Sequence, residues 1–183
     1  DITATPAASI WLLGSSAHSA QLAGQMGLPY IFANHFGIPG MANILQLYRD
    51  SYVPSEQFPE PKTLLPVNAV VTETAEEAER LALAQRFQFA RLRTGGKLGA
   101  QMSVEQLEAY DWTAAEIAQR GLSEPFLYVG DPKTVAQGLR ELAEQFDTDE
   151  VMISPVAGSY EGDAVDEAKN RERTVQLLAD ELL

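Results

Sequence analysis

Short apolar runs and longer amphipathic stretches alternate along this chain. Ile10 to Leu13 is a continuous apolar run closed by Gly14, the pattern of a strand buried on both faces. Ser15 and Ser16 are good N-caps, and Ala17 to Met26 carries small and apolar residues at helical spacing until Gly27 supplies a stop. After Pro29, Tyr30 to Ala33 reads as the next strand, which completes a strand-helix-strand unit.

Past Gly37-Ile38-Pro39-Gly40, Met41 to Tyr52 is expected to be a helix with Ile44, Leu45 and Tyr48 on one face. A loop marked by Pro54, Pro59, Pro61 and Pro66 leads to a third strand, Leu64 to Thr72. Thr74-Ala75-Glu76-Glu77 predicts a capping box opening one long helix to about Arg93, ended by Thr94-Gly95-Gly96. Residues 97–124 break the rhythm and read as an insertion with a short helix at Ser103-Val104-Glu105-Gln106. Phe126 to Val129 is a short apolar segment, Asp131-Pro132 caps a helix through Phe146, and Val151 to Ser154 is the last strand. A terminal helix is expected from about Asp163, with Ala168, Val175, Leu178, Ala179 and Leu182 at helical spacing. Four strand-helix units with one insertion signal a parallel α/β fold: half of an eight-stranded barrel, or a small open doubly wound sheet.

Charge is distributed unevenly, with no Asp, Glu, Lys or Arg from Ile2 through Tyr48, so that block must be largely covered. The chain of 183 residues is 45% hydrophobic and 21% charged, an ordinary globular balance that supports one domain. Its formal net charge of −13 disfavours nucleic acid and anionic membranes. Cysteine is absent, which removes disulfides and thiolate chemistry, and two histidines, His18 and His35, are too few for a histidine-rich metal site. No apolar run reaches the roughly 20 residues of a membrane span, and no basic leader precedes the first strand, so a cytoplasmic location is expected. Asp1 stands first and is followed almost at once by a buried-looking segment, the pattern of a chain that starts partway through a larger fold.

Candidate chemistry gathers at two strand ends. Where the first strand meets its helix, Gly14 allows close approach, and the free amides with the hydroxyls of Ser15 and Ser16 suit a phosphate, with His18 in the first turn. Simple helix capping is the competing reading of the serines. Phe32-Ala33-Asn34-His35-Phe36 follows the second strand, and in a parallel fold it would face the same mouth. Gly130-Asp131-Pro132 is read as a helix cap, because a carboxylate only accepts hydrogen bonds. Acidic clusters such as Asp147-Asp149-Glu150 read as solvated surface.

Ile10-Trp11-Leu12-Leu13-Gly14-Ser15-Ser16, with Gly27-Leu28-Pro29 and Phe32-Ala33-Asn34-His35-Phe36, resembles the luciferase-like flavin-dependent monooxygenases. Tyr128 to Val135 and Asp149 to Ile153 resemble the same family's last two conserved segments. The resemblance implies the C-terminal half of a (β/α)8 TIM-type barrel, from about its fifth strand onward, with an insertion after the third strand of this chain. It implies FMN as cofactor, with phosphate contacts at Gly14, Ser15 and His18, Ser16 as a neighbour, and the ring beside Ala33 and Asn34. In bacterial luciferase the Gly14 position is acidic and the His18 position is a threonine. His35 lies at the rim as the candidate catalytic residue within this chain, the family's usual catalytic histidine and phosphate arginines belonging to the other half. The implied reaction oxygenates a small organic substrate with dioxygen and reduced FMN from a separate flavin reductase, with a homodimer left open and this segment inactive alone. A non-catalytic flavin-binding relative and a deazaflavin-dependent oxidoreductase of the same fold are the alternatives.

Overall fold

The computed structural model describes residues 8–148 and 150–183, so the expectations touching Asp1 to Ala7 and Asp149 lie outside the described residues. Five parallel strands form the sheet: β1 (Leu12–Gly14), β2 (Tyr30–Phe32), β3 (Thr63–Val71), β4 (Leu127–Gly130) and β5 (Val151–Pro155). β1 pairs with β2 and β2 with the start of β3, while β4 and β5 both pair with β3. The Lys62 carbonyl and the Thr72 amide bond to β2 and to β4, whereas the Leu65 amide and Ala69 carbonyl bond toward β5. Alternate residues of a strand point to opposite edges, so β2 and β4 share one edge of β3 and β5 holds the other.

The backbone strand order is therefore β1-β2-β3-β5, advancing in one direction. Helices α1 (Ala17–Gln25), α2 (Met41–Asp50), α7 (Pro132–Phe146) and α8 (Lys169–Leu182) all pack on one face. Ala20, Ala23, Leu45 and Tyr48 meet Tyr30, Phe32 and Leu65 there, and Val135, Leu139 and Leu178 meet Val67, Ala69 and Val71. A doubly wound sheet would reverse its order and carry helices on both faces; one-way order with a single outer helix layer is barrel geometry. On the inner face the row Leu13, Ile31, Leu64 is set by register, and Leu13 is 55% and Met152 51% exposed.

At the C-terminal end of the strands the inner face is closed by α3 (Ala75–Leu81), α4 (Leu83–Arg93) and α5 (Val104–Glu108), with Val70 packed against Ala78, Leu81 and Val104. The insertion also holds α6 (Ala114–Ser123). It is riveted to α4 twice. The buried Arg86 guanidinium donates to both Glu124 oxygens, at 2.8 and 2.9 Å, and to Glu79 at 2.6 Å. Phe87, Tyr110 and Trp112 meet edge to face, 5.0 to 5.8 Å apart, around a buried Glu116 that accepts from Thr113 and Tyr110.

Several expectations are corrected. The helix expected from Thr74 to Arg93 is two helices, because the Leu81 carbonyl accepts from Gly158 N–H at 2.8 Å, a bond made by the loop after β5. Thr74 caps as expected, but the box is incomplete: Glu77 accepts from the Tyr160 hydroxyl instead of reaching back. The apolar segment at 126–129 becomes strand β4. Pro66 lies inside β3 and not in the preceding loop; its missing N–H falls between the end of β2 pairing at Leu64 and the start of β4 pairing at Asn68. The terminal helix starts at Lys169, since the Asp163 carboxylate is taken up by the Tyr160 amide, and Thr174 is buried on it where Val175 is exposed.

Candidate functional site

Gly14 ends β1, and α1 begins three residues later behind the N-cap Ser16. The Ser16 hydroxyl accepts from the Ser19 amide at 3.2 Å, and Ser19 Oγ accepts from the Ser16 amide at 3.3 Å, a reciprocal capping box. Ser19 Oγ also donates to the Ser16 carbonyl and lies 3.0 Å from the hydroxyl of Tyr30 on β2. Ser19 is thus the pin joining β1, α1 and β2, and Gly14 makes room for it: a Cβ on Gly14 would stand 2.3 Å from Ser19 Oγ. Nothing in the helical spacing of the sequence distinguishes Ser19 from its neighbours.

The turn remains open above this pin. Ser16 and His18 are exposed and Ser15 is half-buried, and among the described residues the Ser15 hydroxyl and the His18 ring make no hydrogen bond. The amides of Ala17 and His18 belong to the first helical turn and have no intrahelical acceptor. Ser16 is the least available of the predicted contacts, because its hydroxyl already serves the cap.

The second cluster stands on the same rim. Gly14 pairs with Phe32, and the Ala33 amide donates to the Gly14 carbonyl at 2.9 Å. Asn34 to Phe36 then form one 3-10 turn, stopped by Gly37 at φ 64°. Ala33 and Asn34 are each 4% exposed, so they offer wall rather than reach. The His35 ring packs on Phe36, centroids 4.1 Å apart, and burial pushes its pKa down. Its Nδ1 is sealed with no partner. Asn68 of β3 donates from Nδ2 to the His35 carbonyl at 2.8 Å, tying the turn to the central strand. Sequence reasoning missed Asn68, although a lone amide in the apolar run Leu64 to Val71 was the available signal.

A cavity of about 270 Å³ opens beside this turn, between the strand ends and α4. The two clusters stand on the same C-terminal rim of the sheet, joined by the Ala33–Gly14 bond, and of the sequence-predicted residues His35 alone lines the cavity. Among the described residues no cluster suits a metal ion, and no helix is long and apolar enough to cross a membrane.

Comparison with known proteins bears on this geometry. A family model described as luciferase-like monooxygenase matches residues 1–149. A luciferase-like monooxygenase of Escherichia coli K12 is 33% identical over 147 residues, covering 79% of this chain and 43% of that protein. The Bacillus subtilis protein YvbT is 32% identical over 171 residues, covering 93% of this chain and 48% of its own. The chain thus spans about half the length of the curated relatives it matches. Among solved structures, apo-MsnO8 superposes with a TM-score of 0.80 at 26% identity, covering 97% of this chain and 52% of that one. The oxygenating constituent of a 3,6-diketocamphane monooxygenase from Pseudomonas putida, solved with FMN, has a TM-score of 0.59 at 18% identity over 96% of this chain and 48% of that one, a likeness of fold alone.

Proposed function

This chain belongs to the luciferase-like monooxygenase family, and on that premise we propose that it builds the phosphate corner and part of the ring wall of an FMN site in a monooxygenase. The observation that carries the reading is the open N-terminus of α1, set directly beyond Gly14 on the rim it shares with His35. A phosphate there would take the Ala17 and His18 amides and the Ser15 hydroxyl, at the positive end of the helix dipole, worth roughly half a charge. Gly14 serves this corner indirectly: a Cβ there would collide with Ser19, the residue that holds the turn presenting these amides. With no Lys or Arg between Ile2 and Tyr48, the remaining counter-charge comes from another part of the whole protein.

Ala33 and Asn34 supply a small, rigid edge for the flavin ring. Bound reduced FMN supplies the electrons that activate dioxygen; this chain's residues bind, orient and keep water from the mouth, with α4 as the cover. The same reading places the intact protein in the cytoplasm, fed by a flavin reductase, with dimerisation left to experiment and this segment inactive alone.

The test is a titration of the intact protein with FMN, riboflavin and a deazaflavin. FMN should bind at least about tenfold more tightly than riboflavin, the value of one charge-assisted hydrogen bond or more. Ser15→Ala, which removes the one side-chain donor, should narrow that gap without weakening riboflavin. Equal affinity for FMN and riboflavin would sink the phosphate corner, and preference for the deazaflavin would replace the cofactor. Flavin bound with no substrate-dependent oxygen uptake would favour a non-catalytic flavoprotein.

A further inference from the structure

A second cavity, of about 190 Å³, lies along α4 next to the one that His35 lines. Ala84, Phe87, Gln88 and Arg91 recur three and four positions apart, so they form one face of the helix, and that face lines it. Gln85, Phe89 and Leu92, each one position further on, turn to the first cavity instead. The opposite wall is the loop of residues 97–102, with Leu107 of α5. Gln88 and Leu98 are common to both cavities.

The lining carries two cations, Arg91 and Lys97, and no acid, in a chain with 26 acidic and only 13 basic residues. The two cations are answered differently. The Arg91 guanidinium stands over the Phe87 ring, 5.9 Å from its centroid, with Nη1 3.5 Å from Glu116, which is not in the lining. Glu116 already accepts from the Thr113 amide and hydroxyl and from the Tyr110 hydroxyl, at 2.9 to 3.2 Å. Arg91 therefore gets charge neutralisation from it without a close bond, and its Nη2 reaches only the Lys97 carbonyl, at 3.5 Å. Lys97 itself makes no ion pair among the described residues. With Arg91 and Glu116 cancelling, one positive charge is left unmatched. The cavity thus offers that charge, a planar fork of N–H donors, and apolar walls at Phe87, Leu98, Met102 and Leu107. A singly charged anion with an apolar body meets all three, whereas inorganic phosphate would lose hydration against the walls.

We propose that this cavity binds a small organic monocarboxylate, its carboxylate taken by Arg91 and Lys97 and its short apolar body lying among Phe87, Met102 and Leu107. The site is separate from the phosphate corner beyond Gly14 and does not depend on the flavin reading. Its occupant ties the loop of residues 97–102 to α4, and with it Leu98, which the first cavity shares.

The test uses the intact protein with 13C-labelled methionine methyls, the Met102 signal being assigned through Met102→Leu. Hexanoate, 1-hexanol and inorganic phosphate are titrated in turn. Hexanoate should shift the Met102 methyl saturably and bind at least about fivefold more tightly than 1-hexanol, and phosphate should leave that methyl in place. Lys97→Met, at an exposed loop position, should weaken hexanoate about fivefold, the upper range of an exposed ion pair, and leave 1-hexanol unchanged. Equal affinity for hexanoate and 1-hexanol would mark a purely apolar hole, an equal response to phosphate a purely charged surface, and an unmoved Met102 methyl an empty assignment. Each of these overturns the proposal on the wild-type protein, whether or not the variant folds, and so does full hexanoate affinity in Lys97→Met. Loss of the hexanoate shift on saturation with FMN would place the carboxylate at the flavin corner and overturn it as well.

Discussion

Ser19 Oγ is shared between the Ser16 backbone and the Tyr30 hydroxyl, in space that only a glycine at position 14 leaves free. Gly14→Ala must displace that hydroxyl or part β1 from α1. Urea denaturation should show a loss of about 1–3 kcal/mol, the usual cost of overpacking. Ser19→Ala in the same background should recover only part of it, because the Cβ that alanine keeps also stands 2.7 Å from the added methyl; full recovery would place the whole clash at the Ser19 oxygen. His35 gives a pH signature. Burial holds its folded pKa below the ordinary value of about 6.5, so the unfolded chain takes up the proton first. Stability from this residue is full above that value and falls as pH drops from it toward the depressed folded value. The urea midpoint of the wild-type protein should therefore decline more steeply across that window than that of His35→Gln, and parallel curves would remove His35 from the account.

The decisive element is α4, which roofs the cavity and is held by the insertion. Arg86 is its anchor: its side chain is 4% exposed, but Glu79 and Glu124 are 54% and 44% exposed. The partners keep water when the arginine is lost; the arginine has none when they are lost. Arg86→Met should thus cost only about 1 kcal/mol, whereas Glu79→Gln with Glu124→Gln should cost about 3 kcal/mol, by leaving a buried cation poorly matched. Guanidinium titrations giving the reverse order would show that the guanidinium is hydrated. The short helices of the insertion were legible only in part. Ser103 and Gln106 announce α5 because a capping box needs residues three apart, and Asp131-Pro132 announces α7 because an N-cap carboxylate followed by proline at the first helical position marks a helix start. The break at Ala82 was not legible, since its cause is a bond from Gly158, in the loop after β5 and far along the chain.

For the whole molecule, strand order and one-sided helices select a barrel over an open sheet, and this chain spans about half the length of its relatives. The remainder of a barrel would cover the inner face, where Leu13 and Met152 stand 55% and 51% exposed. In the intact protein, Leu13→Glu and Met152→Glu should each cost about 3 kcal/mol or more, as for a buried uncompensated polar group. Val175→Glu, on the outward side of α8, should stay within about 0.5 kcal/mol; equal tolerance at all three positions, read by thermal unfolding, would mean the inner face is bare. The sequence alone determined the alternation of strands and helices, the caps at Ser16, Ser103 and Asp131, and the flavin-family pattern around Gly14 and His35, because each depends on residues a few positions apart. Tertiary structure alone decided that Ser19 reaches Tyr30, that Asn68 holds the turn of His35, and that α4 closes a cavity over both. Those contacts join residues 11, 33 and more positions apart, and their partners are chosen by which strand lies next to which, a choice no local pattern encodes.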